Sequence, residues 1–116
     1  MVQLGASTAC LYPLETEKAL EQMGKLGVQK VEIFYNSSSE YEVNYMKNLK
    51  SILDYYGMEA VSMHPYDSVS EPFMFFTDYS RRFQDTLDQY QRYFERMQLV
   101  GSRIFVFHGD RYDSRF

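Results

Sequence analysis

Only two histidines occur in this chain of 116 residues, and both close a strand-like run. In MEAVSMHPY (58–66) the run ends at His64, and in RIFVFHGDR (103–111) it ends at His108. Each is followed by a residue that breaks regular structure, Pro65 or Gly109. Neutral imidazole is the commonest metal ligand and titrates near neutral pH. Two imidazoles at equivalent positions therefore point to one shared, metal-ligating or substrate-binding site. They are an incomplete metal set by themselves, because a catalytic zinc usually takes three protein ligands. Asp110, two residues past His108, is placed to hydrogen-bond a ring N–H or to reach the site itself.

Further polar residues sit at or near the same strand ends. Glu32 interrupts the apolar stretch Val31-Glu32-Ile33-Phe34-Tyr35. A carboxylate in a buried strand is costly unless paired, so Glu32 either ion-pairs, with Lys30 for example, or lines a site. Asn36 falls on the same strand face as Glu32 and suits either a substrate hydrogen bond or a strand-end turn. The stretch 65–82 carries Asp67, Glu71, Asp78, Arg81 and Arg82. An arginine pair at a helix start suits phosphate, and equally a solvent-facing first turn. Phe73, Phe75 and Phe76 are expected to pack beneath that loop. Cys10 has no strong base beside it in sequence and is read as passive.

These residues need elements to hold them. Four apolar runs, VQLGAS (2–7), KVEIFY (30–35), EAVSMH (59–64) and RIFVFH (103–108), read as strands. Between them lie three amphipathic segments. The first shows Leu20, Met23 and Leu26 at helical spacing and stops at Gly27. The second opens on Ser39 and Glu42, which have capping-box spacing. It continues through Met46, Leu49, Leu53 and Tyr56 to Gly57. The third, over 78–100, repeats Phe83, Leu87, Tyr90, Phe94 and Met97 before Gly101. The order β-α-β-α-β-α-β predicts an α/β fold with a parallel sheet and right-handed crossovers, in a single domain over 1–116.

Strand starts near 2, 30, 59 and 103 lie 28, 29 and 44 residues apart. An eight-unit β/α barrel of about 250 residues spends roughly 31 on each unit. The count therefore fits a partial TIM barrel of about half the units, with a long third loop. A doubly wound sheet is the competing fold. Its phosphate-binding turn is missing here, since the turn after the first run reads STACLYP. Alternation places Ala60, Ser62 and His64 on one face, and Ile104, Val106 and His108 on another shared face. In a β/α barrel chemistry sits at the carboxyl ends of the strands.

The bulk composition agrees with a globular domain. The chain is 45% hydrophobic and 24% charged, with 11 Tyr, 9 Phe and no Trp. A net charge of −4 disfavours nucleic acid as a partner. One cysteine permits no internal disulfide, and a reducing, cytoplasmic location is the simple expectation. No run has signal-peptide or membrane-span character, so no membrane partner is expected.

Taken in order, LGASTACLYPLETEKALEQMGKLGVQKVEIFYNSSSE, VSMHPY, EPFMFF…RRF and FVFHGDR resemble the amino-terminal half of the sugar phosphate isomerase/epimerase family. That family consists of xylose isomerase-like TIM barrels, in a superfamily with the apurinic-site endonucleases. The resemblance runs from Leu4 to Arg111 and lies in the ordered combination of the pieces. It implies a divalent metal ion (Mn, Mg, Zn or Co) and a sugar or sugar phosphate as substrate. It implies that His64 and His108 are metal ligands, as in the endonuclease branch, or substrate contacts, as in the isomerase branch. It implies that Glu32 lines the barrel. Asn36, Arg81 and Asp110 complete the expected substrate-binding set.

The family's later-strand carboxylates and histidine are not found in this chain. No catalytic residue is assigned, and the isolated chain is expected to be inactive. The alternatives are an apurinic-site endonuclease-like phosphodiesterase and a non-catalytic half-barrel. Such a half-barrel would self-associate through its exposed edges.

Overall fold

In the computed structural model, which describes residues 1–110, the four apolar runs become four parallel strands: β1 (Ala6–Ser7), β2 (Lys30–Phe34), β3 (Glu59–His64) and β4 (Ile104–Phe105). They lie side by side in chain order, β1-β2-β3-β4. The helices between them are α1 (Thr16–Lys25), α2 (Val43–Tyr56), the single turn α3 (Glu71–Met74) and α4 (Ser80–Met97). This is an α/β fold with a helix in every crossover. The outer strands are shorter than the apolar runs that encode them. Beyond β4, Val106 still donates its N–H to the Met63 carbonyl at 3.0 Å. Among the described residues no helix is long and apolar enough to cross a membrane.

The three long helices stop alike. Val28, Met58 and Ser102 each donate to a carbonyl five residues back, on Met23, Leu53 and Met97. The residue between must turn left-handed, and at the end of α2 this is Gly57, with φ +67°. A residue with a Cβ is strained there, so the glycine placed after the last apolar position ends the helix.

One face of the sheet carries the core. Val31, Ile33 and Tyr35 from β2 and its exit, with Ala60 and Met63 from β3, are buried. They pack with Leu20 and Met23 of α1, with Met46, Leu49 and Leu53 of α2, and with Tyr90, Tyr93 and Met97 of α4. Each fully buried aliphatic of this kind contributes about 1.5–3 kcal/mol. The other face carries Glu32, Phe34, Ser62, His64 and Ile104, none of them fully buried.

Five expectations are corrected. Ala60 does not share a face with His64. Val31 pairs with Ala60 and Glu32 with Ser62, so Val61 is an extra residue in β3. This bulge turns Ala60 toward the helices while Ser62 and His64 face the open side. Ser39 and Glu42 do not form a capping box. Ser38–Tyr41 is a separate 3-10 turn, and α2 begins at Val43 without a side-chain cap. The turn is drawn in by Tyr41, which stacks on Tyr35 and Tyr93 with ring centroids 4.6 and 4.1 Å apart.

On the helices, α4 buries Thr86, Tyr90, Tyr93 and Met97, while Phe83, Leu87 and Phe94 lie more than 40% exposed on its flank. Leu26 falls past the end of α1 and is exposed. Of the three phenylalanines in the long loop only Phe75 packs inward, against Phe83, Tyr90 and Phe107. Phe73 and Phe76 are exposed.

Candidate functional site at the carboxyl ends of β3 and β4

The two imidazoles meet. His64 ends β3, and His108 follows β4 by three residues; their ring centroids are 4.8 Å apart, edge to face. The pleat brings this about. Ser62 is paired with Ile104 on the open face, which sets His64 beside Val106 and His108 one pleat above. On its other side His64 stacks on Phe34 of the paired strand, with centroids 4.3 Å apart.

Hydrogen bonds orient the pair. His64 Nδ1 lies 2.9 Å from the Pro65 carbonyl oxygen. A carbonyl only accepts, so in the neutral ring Nδ1 is the nitrogen that carries the proton and Nε2 the one with the lone pair. His108 is held through its backbone. Its N–H donates to Glu71 Oε2 at 3.0 Å and to Oε1 at 3.3 Å, and the Gly109 N–H donates to Oε2 at 3.1 Å. Glu71 Oε1 also lies 3.8 Å from His108 Nδ1. The Glu71 side chain is fully buried, while that of His108 is 30% exposed. A buried carboxylate is costly unless donors converge on it, and here two successive backbone N–H groups do so. Gly109, with φ +70°, makes that convergence possible.

The remaining expected site residues divide. Glu32 faces the open side, one pleat below Phe34, and accepts the Ser62 hydroxyl at 3.2 Å. With Ser7, Lys30, Glu59 and Ser62 it lines an open cavity of about 500 Å³ on the open face of the sheet, toward the amino ends of β2 and β3; neither histidine lines it. Lys30 pairs with Glu59 across the strands.

Asn36 turns away from the histidines. Its side chain donates to Thr16 Oγ1 at 3.1 Å, and its backbone N–H donates to Glu40 Oε1 at 2.7 Å. It lines a separate cavity of about 330 Å³ with Glu17, Glu40 and Tyr45. The Tyr45 hydroxyl lies 2.6 Å from Glu17 and 3.0 Å from Glu40. Burial and those two carboxylates push its pKa well above the ordinary tyrosine value.

Arg81 sits on the exposed first turn of α4, donating to the Tyr79 hydroxyl at 2.7 Å with its guanidinium over that ring. Asp110 is exposed at the end of the described stretch, and Arg111 of the FVFHGDR motif lies outside it. Cys10 is exposed.

Sequence reasoning named Glu71 only as one charge in a loop. A usable signal was present in EPF, where Pro72 begins a helical turn and fixes the preceding glutamate at its start. Among the described residues no group of three or more His, Cys, Asp or Glu side chains is arranged to hold a metal. No family model, curated protein or solved structure matches the chain.

Proposed function

We propose that this chain forms the amino-terminal half of a β/α barrel whose rim, over β3 and β4, is part of a metal-dependent sugar or sugar-phosphate isomerase or epimerase site. The observation that carries this reading is the edge-to-face contact of His64 and His108 at the carboxyl ends of neighbouring parallel strands. In a β/α barrel that rim holds the chemistry.

Three further observations support it. The strand order is sequential, without the reversal that marks a doubly wound sheet. A row of residues, Ser7, Glu32, Ser62 and Ile104, crosses the open face as an inward barrel layer does. Phe83, Leu87, Phe94 and Phe107 leave an apolar flank beside β4, where a fifth β/α unit would pack.

The donor set fits part of a divalent metal site. His64 and His108 would be two of its ligands, and imidazole suits zinc better than it suits magnesium or manganese. The further ligands belong, on this reading, to later strands. A bound metal would polarise adjacent carbonyl and hydroxyl oxygens of a sugar. This chain's own residues would shape the pocket: Phe34 walls one side of His64, and Glu32 with Ser62 forms its floor.

Cobalt(II) or zinc(II) titrated into the chain is expected to move the imidazole NMR signals of both His64 and His108. Substituting alanine for either one should abolish the response. No response, or one that survives both substitutions, removes the metal reading. Epimerisation of sugar phosphates by a polypeptide that also carries the later units, lost in His108→Ala, tests the reaction itself.

A further inference from the structure

We infer that Glu71 is the positioning residue of the rim: it fixes the backbone at His108 and sets which imidazole nitrogen carries the proton. Three contacts support this. The N–H groups of His108 and Gly109 both donate to Oε2, at 3.0 and 3.1 Å. The second oxygen, Oε1, faces His108 Nδ1 at 3.8 Å. The carboxylate is fully out of water, so its field on the ring is little screened. A negative oxygen opposite Nδ1 repels a lone pair there and favours N–H. His108 then has the same tautomer that the Pro65 carbonyl imposes on His64. Both rings keep Nε2 as an acceptor, and neither spends it on the fold.

The two histidines thus reach one electronic state by different devices. For His64 it is the chain's own next carbonyl. For His108 it is a buried carboxylate borrowed from a loop 37 residues earlier. Outer partners of this kind orient imidazoles toward a ligand or metal. The assignment rests on the rim-site reading only for the use to which Nε2 is put.

Glu71→Gln gives a sharp test, because the structure says which way the amide must sit. The Gly109 N–H donates to Oε2 alone and the His108 N–H lies nearer Oε2 (3.0 Å) than Oε1 (3.3 Å), so the amide oxygen takes the Oε2 place and the NH₂ takes the place of Oε1. An amide donor then faces Nδ1, which becomes an acceptor, and the imidazole proton moves to Nε2.

The measurement is long-range ¹H–¹⁵N correlation of histidine-labelled, metal-free protein. It is made at a pH high enough that the ¹⁵N shifts themselves report both rings neutral. The wild type is expected to show Nδ1–H at both histidines. Glu71→Gln should invert His108 and leave His64 unchanged. An Nε2–H His108 in the wild type, or no inversion in folded Glu71→Gln, overturns the assignment. If the variant does not fold, the wild-type spectrum decides alone. Because no metal is present, a failed metal titration leaves this result standing, and the two ideas fail separately.

Discussion

Raising the pH should unfold this domain through its tyrosines. Tyr35, Tyr41, Tyr90 and Tyr93 are 0%, 7%, 2% and 4% exposed. Burial, reinforced by nearby Asp67, Glu40 and Glu71, pushes all four hydroxyls well above the ordinary tyrosine value near 10. A pKa raised in the folded state means that, above pH 10, the unfolded chain releases protons the folded chain keeps. Stability is therefore intact below about pH 10 and falls as pH rises toward the folded values. Each tyrosine contributes a slope of about 1.4 kcal/mol per pH unit, so four give about 5 to 6. A domain of this size holds roughly 5 to 15 kcal/mol in total. Unfolding is expected within about one to three units above pH 10, in a step far steeper than one proton. The assay follows tyrosinate ultraviolet absorbance and far-ultraviolet circular dichroism on the same sample. The absorbance of the four core tyrosines should appear together with loss of helix signal. If they ionise fully while the dichroism is unchanged, the reasoning is refuted.

Three other substitutions test the packing and its hydrogen bonds. A Cβ at Gly24 would sit 2.3 Å from Cγ of Tyr56. Alanine normally favours a helix interior by about 1 kcal/mol over glycine; here overpacking of about 1–3 kcal/mol should outweigh it. Chemical denaturation should show Gly24→Ala destabilising in the wild type but stabilising in a Tyr56→Ala background; the same sign in both would remove the steric argument. Tyr93→Phe should cost about 1.5–3 kcal/mol, because its hydroxyl donates to the Asp67 carboxylate at 2.9 Å. Tyr41→Phe should be neutral or stabilising by up to about 1 kcal/mol, because that buried hydroxyl has no hydrogen-bond partner among the described residues. Equal losses from the two substitutions in thermal unfolding would contradict the hydrogen-bond assignment.

Much of the fold was legible because it follows from period and punctuation. Four apolar runs and three glycine-stopped amphipathic segments suffice for a parallel β/α sheet. Faces were less legible. The α4 pattern Phe83-Leu87-Tyr90-Phe94-Met97 is a true helical stripe, but the sheet selects the neighbouring stripe through Thr86 and Tyr93. Tyr93 wins because Asp67 takes its hydroxyl and Tyr41 its ring, at 2.9 and 4.1 Å. Both partners are distant in sequence, so no window on α4 contains the deciding contact.

The site was legible to the degree that it is built from strand tips. His64 and His108 are found by asking which polar residues end apolar runs, and parallel pairing then brings them together. Within β3, however, strict alternation fails. The bulge at Val61 costs one ladder position, and it keeps Met63 under the helices while His64 faces the open side in register with Phe34. Were the same six residues to alternate strictly, Ala60 and His64 would share a face, and either the helix layer or the histidine pair would lose its side chain. Glu71 was harder to read, because its importance lies in two backbone N–H groups, which every residue has. What distinguishes it is that the chain returns to place His108 and Gly109 over it. The imidazoles are specified by residue type and the carboxylate by topology, and the held histidine pair stands where the two coincide.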